Sequence, residues 1–202
     1  MAEIKVLIEG VNEKIGQDKL KVGSTVALIK TDKIILVDTG SFLDGGKLIN
    51  ELKMEDLTPE KIDIIVLTHI HLDHIINVHL FKNAKIICKF RGGLYPGQIH
   101  YPKDGCLQRF EIKDGVKIAK DVELILTPGH SDDMISAVVD TKEGKIVVSG
   151  DAISNEDWVD LNKMADPTMV TSIEEFNESR KKILSLADYV IPGHGKMFKV
   201  NK

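Results

Sequence analysis

A chain of 202 residues with 43% hydrophobic and 29% charged residues can bury a substantial core and has the balance of an ordinary soluble globule. Its net charge of −4 argues against a global nucleic-acid footprint, and no apolar run approaches transmembrane length, so no membrane partner is expected. Two cysteines, Cys88 and Cys106, make no disulfide framework, and the alternating Met1-Ala2-Glu3-Ile4-Lys5-Val6-Leu7-Ile8 lacks a signal peptide's layout, so a reduced, cytoplasmic protein is expected.

In chain order, residues 2–10 and 22–30 read as paired antiparallel strands joined by a long polar connection from Gly10 to Gly23. Lys33–Val37 is a third strand that ends at Asp38-Thr39-Gly40, and Asp44 to Lys53 suits a helix. Thr58-Pro59-Glu60 reads as a helix start. Asp63–Leu67 is a short buried strand, and Ile75–Phe81 reads as a helix. Ala84–Lys89 is another strand, and residues 91–106 are the least regular stretch. Strands are expected at 107–112, 116–119 and 122–127, with a hairpin turn at Asp114-Gly115. Two more, at 135–140 and 145–149, flank Glu143-Gly144. Residues 153–170 are irregular and carry Trp158. Ser172 to Leu186 is a helix whose Ser172 and Glu175 have capping-box spacing, and a last strand precedes His194. With no repeat or linker, one domain over 1–202 is expected. Strands followed by helices at both ends, with hairpins between, predict an α/β fold of two sheets packed face to face under helices.

The chemistry concentrates in Thr68-His69-Ile70-His71-Leu72-Asp73-His74, between a strand and a helix. In an extended loop His69 and His71 point the same way and can share one metal ion, whereas the adjacent Asp73 and His74 diverge and suit a second. Imidazole and carboxylate are ligands for zinc, iron or manganese. Three more ligand-type residues each follow an apolar strand at a glycine-containing turn: His130 in Thr127-Pro128-Gly129-His130, Asp151 in Ser149-Gly150-Asp151-Ala152, and His194 in Ile191-Pro192-Gly193-His194-Gly195.

This order, His-x-His-x-Asp-His, then His, Asp and His, resembles the metallo-β-lactamase superfamily, and Asp38 in Val37-Asp38-Thr39-Gly40 matches its first motif. The resemblance implies a four-layered αβ/βα sandwich with its ligands on loops at one edge. It implies that His69, His71 and His130 hold one divalent ion, that Asp73, His74 and His194 hold another, and that Asp151 bridges them. Two ions, zinc in the first instance with iron or manganese as alternatives, would then share a bridging hydroxide as nucleophile, with Asp73 and Asp151 as catalytic residues and Asp38 orienting a ligand histidine. Two departures stand out: Ile75-Ile76 where a small residue often follows the motif, and Ser131-Asp132-Asp133 after His130, which puts two extra carboxylates near the mouth if they face it.

The resemblance implies hydrolysis of a small ester, thioester or lactone, with an anionic small molecule as the expected substrate. With eight residues after His194, the helical substrate domain of glyoxalase-II-like thioesterases is not expected, and Asp151 stands near where Cys-type zinc β-lactamases place a cysteine. An RNA phosphodiesterase of the same fold is the alternative, and an iron-dependent persulfide dioxygenase a third reading. The RNA alternative draws on residues 82–120, which hold nine Lys/Arg against three Asp/Glu. A solvated lysine face explains that excess without function; a collar for an anionic substrate is the functional alternative. Arg91, Tyr95, His100, Tyr101 and Arg109 are the candidate substrate contacts there, with the tyrosines and His100 as candidate general acids. The sequence is silent on oligomeric state.

Overall fold

The computed structural model describes residues 1–89, 98–100 and 112–201. Among these residues the strands form two six-stranded sheets and one two-stranded ribbon. The first sheet has the order β1 (Glu3–Ile8), β4 (Val26–Lys30), β5 (Ile34–Val37), β6 (Ile64–Val66), β7 (Lys85–Ile87) and β8 (Gln98–His100). The second has the order β14 (Phe198–Lys199), β13 (Tyr189–Pro192), β12 (Gly144–Gly150), β11 (Ile135–Thr141), β10 (Val122–Leu126) and β9 (Val116–Ala119). The ribbon is β2 (Val11–Lys14) with β3 (Leu20–Gly23), formed within the long polar connection expected from Gly10 to Gly23.

Period-two alternation decides what each strand face covers. Ile35 and Val37 point into a core shared with Leu124, Ala137 and Val148 of the other sheet, so the two sheets pack face to face. Leu36 and Ile65 point the other way, onto Leu48 and Leu52 of helix α1 (Gly45–Met54). On the far side, Val138, Val147 and Val190 of the second sheet meet Ile183 of helix α3 (Ile173–Leu186). The layers therefore run helix, sheet, sheet, helix. Removing a leucine such as Leu52, fully buried under the first sheet, would cost about 2–5 kcal/mol.

Several sequence expectations need correction. The stretch expected as one helix over 75–81 is a short helix α2 (Leu72–Ile75) followed by a 3-10 turn at Val78–Leu80. The break falls at Asn77, whose side-chain amide donates to the carbonyls of Thr39 and Ser41, an interaction no helical periodicity encodes. Thr58-Pro59 opens only a 3-10 turn, Pro59–Lys61, and Thr58 makes no side-chain cap. Ser172 does cap α3, its hydroxyl accepting from the amide of Glu175 at 3.2 Å. The strand expected at 107–112 falls mostly outside the described residues.

Helix α1 is tied back to the first sheet at its C-terminal end. Glu55 accepts from Lys30 at 2.6 Å and from Lys5 at 2.5 Å, one oxygen to each strand. Hydrogen bonds from Lys30 and Lys5 hold the Glu55 carboxyl below its ordinary range. Its contribution to stability is therefore present above the unfolded-state pKa and is lost as pH falls through the folded one. Glu55→Gln should lower stability by up to about 1 kcal/mol at pH 7. The deficit, read from denaturant melts, should vanish in acid; a deficit that persists there would assign the loss to packing.

Candidate metal centre

Five strand ends meet at one edge of the sandwich. β5 and β6 run parallel, and so do β12 and β13, while β10 and β12 share a direction because each is antiparallel to β11. Asp38 directly follows β5, Asp151 follows β12, and His69, His130 and His194 come within a few residues of the ends of β6, β10 and β13. Strand ends of common direction thus bring together residues spread from position 38 to position 194. Gly193 permits the closest approach: a Cβ there would lie 2.0 Å from Oδ1 of Asp151.

The seven side chains named from the motifs fall into two groups, His69, His71, His130 and Asp151 in one, and Asp73, His74 and His194 in the other. Within each group one nitrogen or carboxylate oxygen per residue lies within 4.8 Å of the others. In the first, His71 Nδ1 lies 2.9 Å from His69 Nε2 and 3.2 Å from His130 Nε2. In the second, Asp73 Oδ2 lies 3.7 Å from His74 Nε2 and 3.6 Å from His194 Nε2. Asp151 stands between the groups. Its Oδ1 is 3.5 Å from His74 Nε2 and 3.2 Å from His194 Nε2; its Oδ2 is 3.3 Å from His194 Nε2, 3.4 Å from His130 Nε2 and 4.0 Å from His69 Nε2.

The outward nitrogens are already engaged. His74 Nδ1 lies 2.7 Å from Asp38 Oδ2, and His194 Nδ1 lies 2.9 Å from the carbonyl of Gly23. Each of these nitrogens is the donor toward its oxygen, so in the neutral ring Nε2 presents a lone pair to the cluster. Asp38 also accepts from the amide and the hydroxyl of Thr68, each at 2.8 Å. It holds this position at φ 60°, a left-handed conformation that aspartate tolerates better than most residues. Asp133, one of the two carboxylates expected near the mouth if they face it, is buried, and its Oδ2 accepts from the amide of Ile70 at 3.1 Å, bracing the loop that carries His69 and His71.

Burial pushes the pKa of His69 well below its ordinary value and lowers that of His130, so both stay neutral. For His74 and His194 burial acts in the same direction but is outweighed, by Asp38 and Asp151 in the first case and by Asp151 in the second, and both are raised. His74 Nε2 and Asp151 Oδ1 are nevertheless buried and without a hydrogen-bond partner. Leaving two such atoms facing one gap costs about 1–3 kcal/mol each, and a cation between them satisfies both. His69 and His130 with the carboxylates and the orphaned inward atoms, joined by His74 and His194 once these give up their protons, are the donor set a divalent metal requires.

Other sequence candidates fall on residues whose side chains the structure does not describe. Arg91, Tyr95, Tyr101 and Arg109 lie outside the described residues, as does Cys106; His100 is described only as backbone in β8, opposite Lys85. Most of the 82–120 collar therefore stays an expectation. Cys88 is buried, which pushes its thiol up to about 11 and makes it inert. Sequence reasoning missed Thr68, Asn77 and the Gly23 carbonyl, which support the site, and did not foresee the part that Asp133 plays. Thr68 had a signal in its place beside His69; a backbone carbonyl has none.

Residues 20–194 match the model of the metallo-β-lactamase superfamily, and the chain belongs to that family. Its class is that of the metal-dependent hydrolases built on this fold. Among curated proteins, the metallo-beta-lactamase domain-containing protein 1 of Xenopus laevis is 31% identical over 98% of this chain and 82% of its own length. A probable metallo-hydrolase of Methanocaldococcus jannaschii is 34% identical over 79% of this chain and 70% of its own. The chain spans only 63% of the rat and 59% of the human domain-containing protein 1. Among solved structures, an N-acyl homoserine lactone hydrolase with N-hexanoyl-L-homoserine at its catalytic metal centre superposes with a TM-score of 0.67 at 20% identity. That match covers 96% of this chain and 92% of the other, and shows the fold.

Two predictions follow from the outward contacts. Asp38→Asn turns one acceptor oxygen into an NH2 that must face either the Thr68 amide or the His74 Nδ1–H, both donors, so metal affinity should fall by about 10–100-fold with the fold retained; isothermal titration with zinc checks this. An unchanged affinity would make Asp38 a turn residue only. Because His74 and His194 are raised, they carry protons in the metal-free chain between pH 6.5 and their higher pKa values, and loading must expel them. Titrations in buffers of different ionisation enthalpy should then report net proton release at pH 7; none would contradict the assignment.

Proposed function

We propose that this chain is a dinuclear metal-dependent hydrolase acting on a small ester, thioester or lactone. His69, His71 and His130 hold one ion, Asp73, His74 and His194 hold the other, and Asp151 joins them. The observation that carries this reading is the placing of Asp151 between the two groups, with Oδ1 near His74 and His194 and Oδ2 within reach of both His130 and His194. Two divalent ions there would supply Lewis acidity and bring the acidity of water into the neutral range.

The remaining work falls to the chain's own residues. Asp38 and the Gly23 carbonyl fix the ring planes of His74 and His194, so their inward nitrogens need no reorganisation when a substrate arrives. Asp73 and Asp151 contribute two negative charges against the four positive of two divalent ions. The centre is therefore left short of negative charge, and favours a substrate that is anionic or becomes so in the transition state. Support for an ester or lactone rather than RNA comes from the relatives. The N-acyl homoserine lactonase of Bacillus thuringiensis is 27% identical over 71% of this chain, and two of the solved structures carry a homoserine product.

A panel tests the reading: zinc-loaded protein offered a thioester, a lactone, bis-nitrophenyl phosphate and short RNA. Turnover of the thioester or lactone is expected, falling at least about 100-fold in Asp151→Ala. Cleavage of RNA alone, with log affinity falling steeply against log salt, would favour the phosphodiesterase alternative. Full activity in the Asp151 variant would remove that residue from the centre.

A further inference from the structure

His130 and Asp151 also line a cleft of about 360 Å³. Its other wall comes from residues 154–170 and the start of α3, with Trp158, Met164, Met169, Val170 and Phe176 as its apolar lining. The cleft thus continues directly from the candidate metal centre, and its size is at the small end of what ligand pockets occupy.

Part of this wall is open to solvent. Met164 is 72% and Met169 63% exposed, and the neighbouring Val159 and Leu161 are also open to solvent. An irregular loop that presents four apolar side chains to water would ordinarily be loose. This one is held. The guanidinium of Arg180, on α3 and fully buried, donates to the carbonyls of Trp158, Asp160 and Lys163 at 3.1–3.2 Å and to Asn177 Oδ1 at 2.6 Å. Three side-chain turns stiffen the loop further: Asn155 accepts from the amide of Asp157, Asp160 from Asn162, and Asp166 from Thr168. Trp158 packs edge-on against Phe176, and the Lys163 ammonium stands 4.5 Å from the Trp158 ring centre. That cation covers ring area a stacked base would need, which disfavours this wall as a nucleobase platform.

An ordered loop that keeps flexible thioethers exposed beside the centre has the makings of a binding wall, because methionines adapt to an aliphatic chain of variable shape. We propose that the cleft walled by Trp158, Met164 and Met169 receives an aliphatic chain of the substrate, so that the preferred ester, thioester or lactone bears a medium-length acyl group. The proposal rests on the hydrolase reading for the reaction, and on the continuity of the cleft with His130 and Asp151 for the occupant.

The chain has one tryptophan, Trp158, so its fluorescence reports on this wall directly. The experiment titrates octanoate and butyrate into the full chain, metal-free and zinc-loaded, and follows Trp158 emission. Each methylene fully buried is worth about fourfold in affinity, so octanoate should bind at least tenfold more tightly than butyrate in both forms. The carboxylate's own contribution cancels in that ratio. The double variant Met164→Ser, Met169→Ser alters exposed side chains and should fold normally; it should cut the ratio to about threefold or less. Equal binding of the two acids by the unaltered chain, or an undiminished ratio in the variant, would overturn the proposal. A failure to hydrolyse any ester would strike the hydrolase reading instead and leave the binding ratio as it is.

Discussion

A carboxylate buried between imidazoles constrains this molecule more than any other single feature. Asp151 is 8% exposed and its Oδ1 has no hydrogen-bond partner, a placement that costs several kcal/mol unless positive charge compensates it. Its surroundings are arranged for that compensation. Histidines approach it from both sides, burial being outweighed by their charge so that its pKa is held well below the ordinary value. Gly150 at φ 50° and Gly193 leave the space that it and its neighbours occupy: a Cβ on Gly150 would lie 2.7 Å from Thr68, and one on Gly193 would collide with Asp151 itself. The two sheets, whose edges supply the residues, are in effect the frame that keeps like-charged and lone-pair-bearing groups together against their mutual cost.

A second carboxylate, Asp38, answers the first from the opposite side of His74. The ring sits between them, Nδ1 toward Asp38 and Nε2 toward Asp151, and Thr68 ties the Asp38 carboxylate to the same loop that carries His69. Orientation of the inward nitrogens is thus built into the protein itself. Preorganisation of this kind is what allows a centre to bind charge without repositioning its own dipoles.

The parts of this architecture legible in the sequence are those with a local signature. Alternating apolar strands marked most of both sheets, and a ligand-type residue beside a glycine after a strand marked each of His130, Asp151 and His194. Features that arise only from tertiary contact were illegible. Asn77 interrupts its helix because carbonyls of Thr39 and Ser41 lie within reach, and Asp133 is buried as the acceptor of the Ile70 amide. The hairpin of β2 and β3 was hidden by its polar composition: all four residues of β2 and the first three of β3 are exposed or half-buried, so no alternation of apolar residues announces them. Loop 154–170 looked featureless for a similar reason; its order derives from Arg180, a residue that a helical pattern alone would have left on the surface.

The account turns on Asp151 joining two ion sites. Anomalous diffraction from zinc-loaded crystals addresses that directly. Two peaks are predicted, one among His69, His71 and His130 and the other among Asp73, His74 and His194, with one Asp151 oxygen directed at each. A single peak at full zinc occupancy, or an Asp151 carboxylate turned away from both, would contradict it.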